Sequence, residues 1–320
     1  MNDWALNILC CPSCGGGLSL QTSKLVCNDC GKRYSVVNGI PRFVENEAYC
    51  GSFGRQWNSF NKTQIDAYSG ATQSEDRFKS ETGWIKSDVD GAIILDAGCG
   101  AGRFSDIALK WGARIIAVDL SESVDACYQN LNDLGYSAEN FLVIQASLDL
   151  LPLKNASFDK AFSLGVIQHT SDRKKCIGQI CAKVKNGGEV AFWVYEKSWK
   201  NLIGYKYYFR IFTKHLNEEQ NWALSKTLVN IFLPFACLID KIPKAGRIFN
   251  RVFMPFAYRD PGIHDYKQIK EWSILDTFDN LSPAFDSPLT ENELRNWLLG
   301  FGMSNIRRLK TKGLAMIATK

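Results

Sequence analysis

Histidine is scarce in this sequence: three residues, His169, His215 and His264, among 320. Any chemistry that needs an imidazole base must draw on those three. Long apolar runs are missing as well. The longest, residues 228–239, contains Asn230 and Pro234 and falls short of the ~20 residues that span a bilayer. The first residues, MNDWALNILCC, have no basic segment, apolar core and small-residue cleavage site in succession, so no export signal is read. That absence sets the expectation for the eleven cysteines: a reducing, cytoplasmic setting and metal binding rather than disulfides. A glycine is also lacking where a dinucleotide-binding loop would need its third. Arg103 stands at that position of G-x-G-x-x-G, which excludes the fingerprint.

What is present fits a globular chain, with 46% hydrophobic and 22% charged residues, long enough for one large domain and a smaller module. The net charge of +5 is uneven. Residues 197–251 hold ten Lys/Arg against three acids, while the rest of the chain is slightly acidic. One segment therefore carries all the positive excess.

Two Cys-x-x-Cys knuckles, CPSC (Cys11, Cys14) and CNDC (Cys27, Cys30), lie twelve residues apart. Each turns the backbone so that both thiolates face one ion, and two together supply the four-sulfur tetrahedron Zn2+ favours. A redox role would expect a single such motif beside a βα unit. Cys10, adjacent to Cys11, is read as a bystander. A closed four-cysteine site leaves no coordination position for catalysis, so the ion is expected to be structural. The stretch from LCCPSCGGGL to NGIPRFV resembles the small zinc-ribbon proteins that activate tRNA and release-factor methyltransferases. That resemblance implies a structural or substrate-presenting module over residues 1–45.

The sequence IILDAGCGAGR, residues 93–103, organises the remainder. Three apolar residues read as a buried strand, Asp96 falls near its tip, and Gly98, Gly100 and Gly102 make a tight loop before apolar residues at helical spacing. Such a βα unit binds nucleotide-like ligands at the carboxyl edge of a parallel sheet. A second strand over 114–118 ends in Asp119, 21 positions beyond Gly98, where a doubly wound fold places a carboxylate for ribose hydroxyls. A third strand spans 141–144, a fourth follows NASFDKAF, a helix covers 173–185, and a turn at Gly187–Gly188 leads into the strand EVAFWVY.

LDAGCGAGR resembles the first motif of class I S-adenosylmethionine-dependent methyltransferases, and NASFDKAFSLGVIQHTSD resembles their fourth strand and following loop. The resemblance implies a Rossmann-like, mostly parallel seven-stranded α/β sheet that closes with an antiparallel hairpin. It implies S-adenosyl-L-methionine held against Asp96, Gly98, Cys99, Gly100, Gly102, Asp119, Leu120, Ser147 and Leu148. Ser147 replaces the acid usual in that family, so the adenine contact passes to a backbone amide near Leu148 or to Asp149. The loop lacks the Asn/Asp-Pro-Pro-aromatic sequence of enzymes that methylate exocyclic or amide nitrogens, which argues for another acceptor atom.

The segment 46–90 leads in. Its FGRQWNSF, residues 53–60, resembles a cleft-covering element, or else Trp57 and Phe60 only pin the linker. The α/β rhythm stops over residues 196–289, where aromatic-rich, helix-permissive stretches carry the basic excess. Three readings stay open there: helices capping an acceptor pocket, a membrane-interface patch, or an RNA-binding face. Residues 290–320 then give a capping box at Thr290 and Glu293, a helix and a hairpin. The core proper is expected over residues 91–195. His169, on the cleft loop, and His264, beside Asp260 and Asp265, are the candidate general bases; His169 reads equally as a satisfied hydrogen-bonding residue beneath the cofactor, and His215 is read as solvated. The resulting expectation is methyl transfer to a small-molecule or lipid-linked acceptor, at oxygen, in surface-glycan or specialised-metabolite synthesis. Zinc-ribbon methylation of RNA is the alternative. The protein is expected in the cytoplasm, with the basic insert touching the membrane surface.

Overall fold

The structure, a computed structural model, describes residues 2–44, 61–70, 72–197, 205–242, 246 and 265–320. The chain starts with a short helix, α1 (Asp3–Ile8). Strands β1 (Leu18–Gln21), β2 (Lys24–Cys27), β3 (Arg33–Val37) and β4 (Ile40–Arg42) follow as an antiparallel meander. Asn38 and Gly39 close its last hairpin with φ of 53° and 81°. That left-handed pair is what an Asn-Gly turn supplies to match the twist of its strands.

Helix α2 (Gln73–Thr82) precedes the alternating core of β5 (Ile93–Ala97), α3 (Arg103–Lys110), β6 (Arg114–Asp119), α4 (Ser123–Asp133), β7 (Phe141–Gln145), β8 (Phe158–Leu164), α5 (Arg173–Lys183) and β9 (Val184–Val194). These five strands are parallel, in the order β7-β6-β5-β8-β9. The central β5, β6 and β7 are buried nearly throughout, as parallel strands covered on both faces must be. Alternate residues serve opposite layers. Ile94, Ile115 and Val143 pack with Phe78 of α2, Ile107 of α3 and Leu131 of α4. Leu95, Ile116 and Ile144 pack with Ile177 and Ile180 of α5 on the other side.

The expected turn at Gly187–Gly188 is instead an irregularity inside β9, whose ladder with β8 skips between Phe158 and Lys160. The carboxyl-terminal residue holds it in the sheet: Gly187 donates its N–H to the Lys320 carbonyl at 2.8 Å, and Lys320 donates to Gly188 at 2.9 Å. Bulging rather than turning keeps those backbone groups paired.

Beyond β9 the insertion contributes α6 (Tyr205–Thr213), α7 (Glu218–Ile239) and α8 (Tyr266–Leu281), with a small core of Val229, Leu233, Ile274 and Leu281. The apolar run read as too short for a bilayer lies within α7. That helix has 22 residues and a mean hydropathy of 1.6 in its most apolar stretch, long and apolar enough to cross a membrane by length and composition. Helix α9 (Glu291–Gly300) begins at the expected capping box, with Thr290 N–H donated to Glu293 Oε2 at 2.8 Å and Glu293 N–H to Thr290 Oγ1 at 3.2 Å. Strands β10 (Ser304–Leu309) and β11 (Leu314–Thr319) form the closing hairpin, and β11 pairs antiparallel with β9.

The ribbon does not stand apart from this core. Strand β4 runs parallel to β7 through Arg42 and Gln145, and Phe43 N–H donates to the Gln145 carbonyl at 2.8 Å. The four ribbon strands thus extend the seven-stranded core into one eleven-stranded sheet. Ala5, Leu9, Leu18 and Leu25 share a core with Leu142, Ile144 and Leu151.

Candidate active site

A cavity of about 280 Å³ opens at the carboxyl ends of the central strands. Its floor is the loop after β5, which only glycine can build. A Cβ on Gly98 (φ +98°) would lie 2.4 Å from Val166 Cγ2, closer than any real contact, in a backbone region L side chains rarely adopt. Gly98, Cys99 and Gly100 line the cavity, as do Asp119 and Leu120 from the end of β6 and Ser147 and Leu148 beyond β7.

Asp119 is fixed at the tip of β6. Its Oδ2 accepts the Gly100 N–H at 3.0 Å, and its Oδ1 accepts the Ser121 N–H at 2.9 Å and hydroxyl at 2.8 Å. Gln145 donates Nε2–H to the Leu120 carbonyl at 2.9 Å. Ser147 donates its hydroxyl to Asp149 Oδ1 at 2.6 Å, and Lys175 lies 3.4 Å from Asp149 Oδ2. Asp149 also lines the cavity, so an acid is offered here despite the serine at position 147.

Asp96 and Gly102 lie behind this wall rather than on it. Gly102 caps α3 with φ +88°, its Cα facing the Cys127 sulfur. The Asp96 carboxylate accepts the Ser105 hydroxyl at 2.6 Å and is fully buried. Burial pushes its carboxyl up to about 7; the Ser105 hydrogen bond opposes this and the neighbouring Asp119 charge adds to it.

The far half of the cavity is lined by Gly165 and His169 after β8, Trp193 and Tyr195 at the end of β9, Arg77 of α2, and Asp276 and Asp279 of α8. His169 ends a single 3-10 turn and places Nδ1 2.9 Å from the Phe285 carbonyl oxygen. A carbonyl only accepts, so Nδ1 carries the proton and the neutral ring has Nε2 as its basic nitrogen. The Tyr195 ring stands perpendicular to His169, centroids 5.5 Å apart, and its hydroxyl donates to Asp279 Oδ2 at 3.3 Å. Burial, then the charges of Asp279, Asp276 and Asp286, hold the Tyr195 phenol well above its usual range. It serves as a donor, not a base. His215 is exposed beyond α6 and does not line the cavity, while His264 and residues 53–60 lie outside the described residues.

Reading the sequence missed Arg77, Tyr195, Asp276 and Asp279. Tyr195 ends the recognisable strand EVAFWVY, so a rule favouring polar residues at strand tips would have found it. The two aspartates sit on the insertion, where no motif marks them.

At the ribbon, the ligand sulfurs of Cys11, Cys14, Cys27 and Cys30 all lie within 4.8 Å of one another. Cys11 and Cys30 are 3.7 Å apart and Cys14 and Cys27 3.4 Å. Zn–S bonds of ~2.3 Å in a tetrahedron put sulfurs about 3.8 Å apart, so the set fits zinc. A disulfide would need ~2.05 Å. Cys10 stands outside the cluster, its N–H donated to the Pro152 carbonyl.

Fold and cleft together define a class: a doubly wound nucleotide-cofactor domain whose sheet is extended by a metal-binding ribbon. Comparison with known proteins is more specific. Residues 95–192 match the family described as methyltransferase domain, and residues 5–39 match that of Trm112p-like protein. The chain thus joins a methyltransferase domain to a Trm112p-like zinc-ribbon domain. It is 27% identical over 156 residues to the ubiquinone biosynthesis O-methyltransferase of Coxiella burnetii, covering 43% of this chain and 63% of that protein. It is 29% identical over 142 residues to the malonyl-[acyl-carrier protein] O-methyltransferase of Hamiltonella defensa, covering 42% and 53%. The chain therefore matches less than two thirds of the length of either relative. Among solved structures, magnesium protoporphyrin IX methyltransferase from Synechocystis, with bound SAH, aligns with a TM-score of 0.45 at 14% identity, over 84% of this chain and 94% of that one.

Proposed function

We propose that this protein transfers a methyl group from S-adenosyl-L-methionine to an oxygen of a small-molecule or lipid-linked acceptor, of the kind found in surface-glycan or specialised-metabolite synthesis. The observation that carries the reading is that one cavity joins two halves. One is the glycine loop with Asp119; the other holds an imidazole whose proton is fixed on Nδ1 by a carbonyl. The oxygen as acceptor atom draws on the two O-methyltransferase relatives.

When bound, S-adenosyl-L-methionine supplies an electrophilic methyl on a sulfonium. Asp119, held by the Gly100 and Ser121 amides, presents its carboxylate to the ribose hydroxyls. Leu148 and Asp149, which line the same cavity, would hold the adenine end, and Gly98 and Gly100 would let the nucleoside approach the backbone. Holding the two reactants collinear supplies most of the rate. His169 Nε2 would receive the proton that the acceptor hydroxyl gives up during transfer. Tyr195, whose O–H is given to Asp279, would offer its oxygen as an acceptor, and with Asp276 and Asp279 would orient an acceptor bearing several hydroxyls.

The test is single-turnover transfer of a labelled methyl from S-adenosyl-L-methionine to a panel of hydroxylated acceptors, compared between the wild type and His169→Ala. Transfer to oxygen that falls in the variant supports the reading; transfer only to amines or to RNA overturns it. The Trm112p-like match favours RNA as the second reading. That reading expects tight RNA binding that weakens steeply with salt.

A further inference from the structure

Helix α7 has two apolar faces, and only one of them is covered among the described residues. Ser225, Val229, Leu233 and Ala236 are buried, with Val229 and Leu233 packed against Ile274 and Leu281 around α8. On the opposite face, Ile231, Phe235 and Leu238 are 52%, 57% and 64% exposed, and Ile242 in the turn beyond is 56% exposed. At 100° per residue the three helical positions fall within an arc of about 60°. They are therefore one stripe, not scattered surface residues. Aligned large apolar groups of this kind mark a contact surface.

Charge says what covers it. The segment that includes this helix, residues 197–251, has ten Lys/Arg against three acids, while the rest of the chain is slightly acidic. Lys241, exposed, lies immediately before Ile242. An apolar stripe within a cationic segment complements a bilayer surface containing anionic lipid. It disfavours a second copy of this chain, since apposed copies would bring two like-charged segments together. The helix cannot leave the fold to cross the bilayer without stripping its packed face and exposing Asn221, whose Nδ2–H donates to the Thr213 carbonyl at 3.1 Å.

We propose that α7 lies in the plane of the interface and docks the protein on anionic membranes through Ile231, Phe235, Leu238 and Ile242. Helix α8 then becomes the partition between membrane and cleft. Its Ile274 and Leu281 pack in the α7 core, while its Leu275, Asp276 and Asp279 line the cavity. An acceptor anchored in the bilayer would reach the cavity past that helix, and this corollary alone rests on the methyltransferase reading.

The experiment is sedimentation of the full, zinc-loaded chain with vesicles of phosphatidylcholine alone or mixed equally with phosphatidylglycerol, at low and high salt. Variant Ile231→Glu/Phe235→Glu/Leu238→Glu is run in parallel, with circular dichroism, light scattering and S-adenosylhomocysteine calorimetry as controls. The wild type is expected to sediment with the anionic vesicles. The triple variant is expected to lose at least about tenfold in partitioning while keeping its helical signal and its affinity for S-adenosylhomocysteine. A wild type that stays in solution, or a variant that sediments equally well, overturns the proposal. So does a wild-type dimer that the variant converts to monomer without any vesicle binding. Vesicle binding without S-adenosylhomocysteine binding would leave docking intact and remove the enzymatic reading; the converse would do the opposite.

Discussion

On the proposed reading Asp119 and His169 act on the ligands, and Asp96 lies behind them. Asp119 is held by two backbone amides and a hydroxyl, so Asp119→Ala removes both the proposed ribose acceptor and the anchor of the Gly100 turn. Hydrogen bonds to a charged group contribute about 1.5–3 kcal/mol each. Affinity for S-adenosylhomocysteine, read by calorimetry, should fall by about 100-fold. His169→Ala should lower kcat by about 10²–10⁴ and leave cofactor affinity unchanged within about twofold, since the ring lies in the acceptor half. Asp96 gives a pH signature. Its folded pKa of about 7 exceeds the ordinary carboxylate value near 4, so the folded state binds the proton more tightly than the unfolded chain. Stability contributed by this group is full below about pH 4, falls as pH rises toward 7 and is flat above. Asp96→Asn keeps an acceptor for Ser105 and should flatten that slope in Tm measured without cofactor from acid to neutral pH. A slope unchanged in the variant would assign the effect elsewhere.

At the scale of elements, the glycine loop, the acids at two strand ends, the paired cysteine knuckles and the capping box were legible because each is a local rule: backbone geometry, ligand spacing or reciprocal capping written within about two dozen residues. Gly187–Gly188 misled for the same reason. Two glycines read as a turn, but Lys320, distant in sequence, pairs with them and keeps β9 continuous. The bond between β4 and β7 was invisible for want of any local signal, since Arg42 and Gln145 meet across 103 residues. Arg42 also pairs with Asp125 at 2.5 Å, joining the ribbon to α4 as well. Because the ribbon shares a core with β7, stripping its metal should disturb more than the ribbon. Chelation, or Cys14→Ser, is expected to lower Tm by at least about 5 °C, as a loss of ~2 kcal/mol would in a domain of this size. The same treatment should release one zinc per chain, read by a colorimetric chelator. Independent melting of the ribbon with the main transition unmoved would contradict this.

On the scale of the whole molecule, one sheet carries the four-cysteine edge, the glycine loop and the closing hairpin, while the insertion lines the far half of the cavity and has an outward apolar face. That lining was the least legible part. Asp276, Asp279 and Tyr195 come together only through the docking of α8 on the end of β9, a contact decided by packing rather than by motif. The central claim is that the bend after β5 seats a sulfonium nucleoside. Isothermal calorimetry of the zinc-loaded chain with S-adenosyl-L-methionine and with S-adenosylhomocysteine tests it most directly. The account predicts saturable heat with one site per chain, lost in Asp119→Ala. A folded, metal-replete protein that releases no heat with either ligand would contradict it.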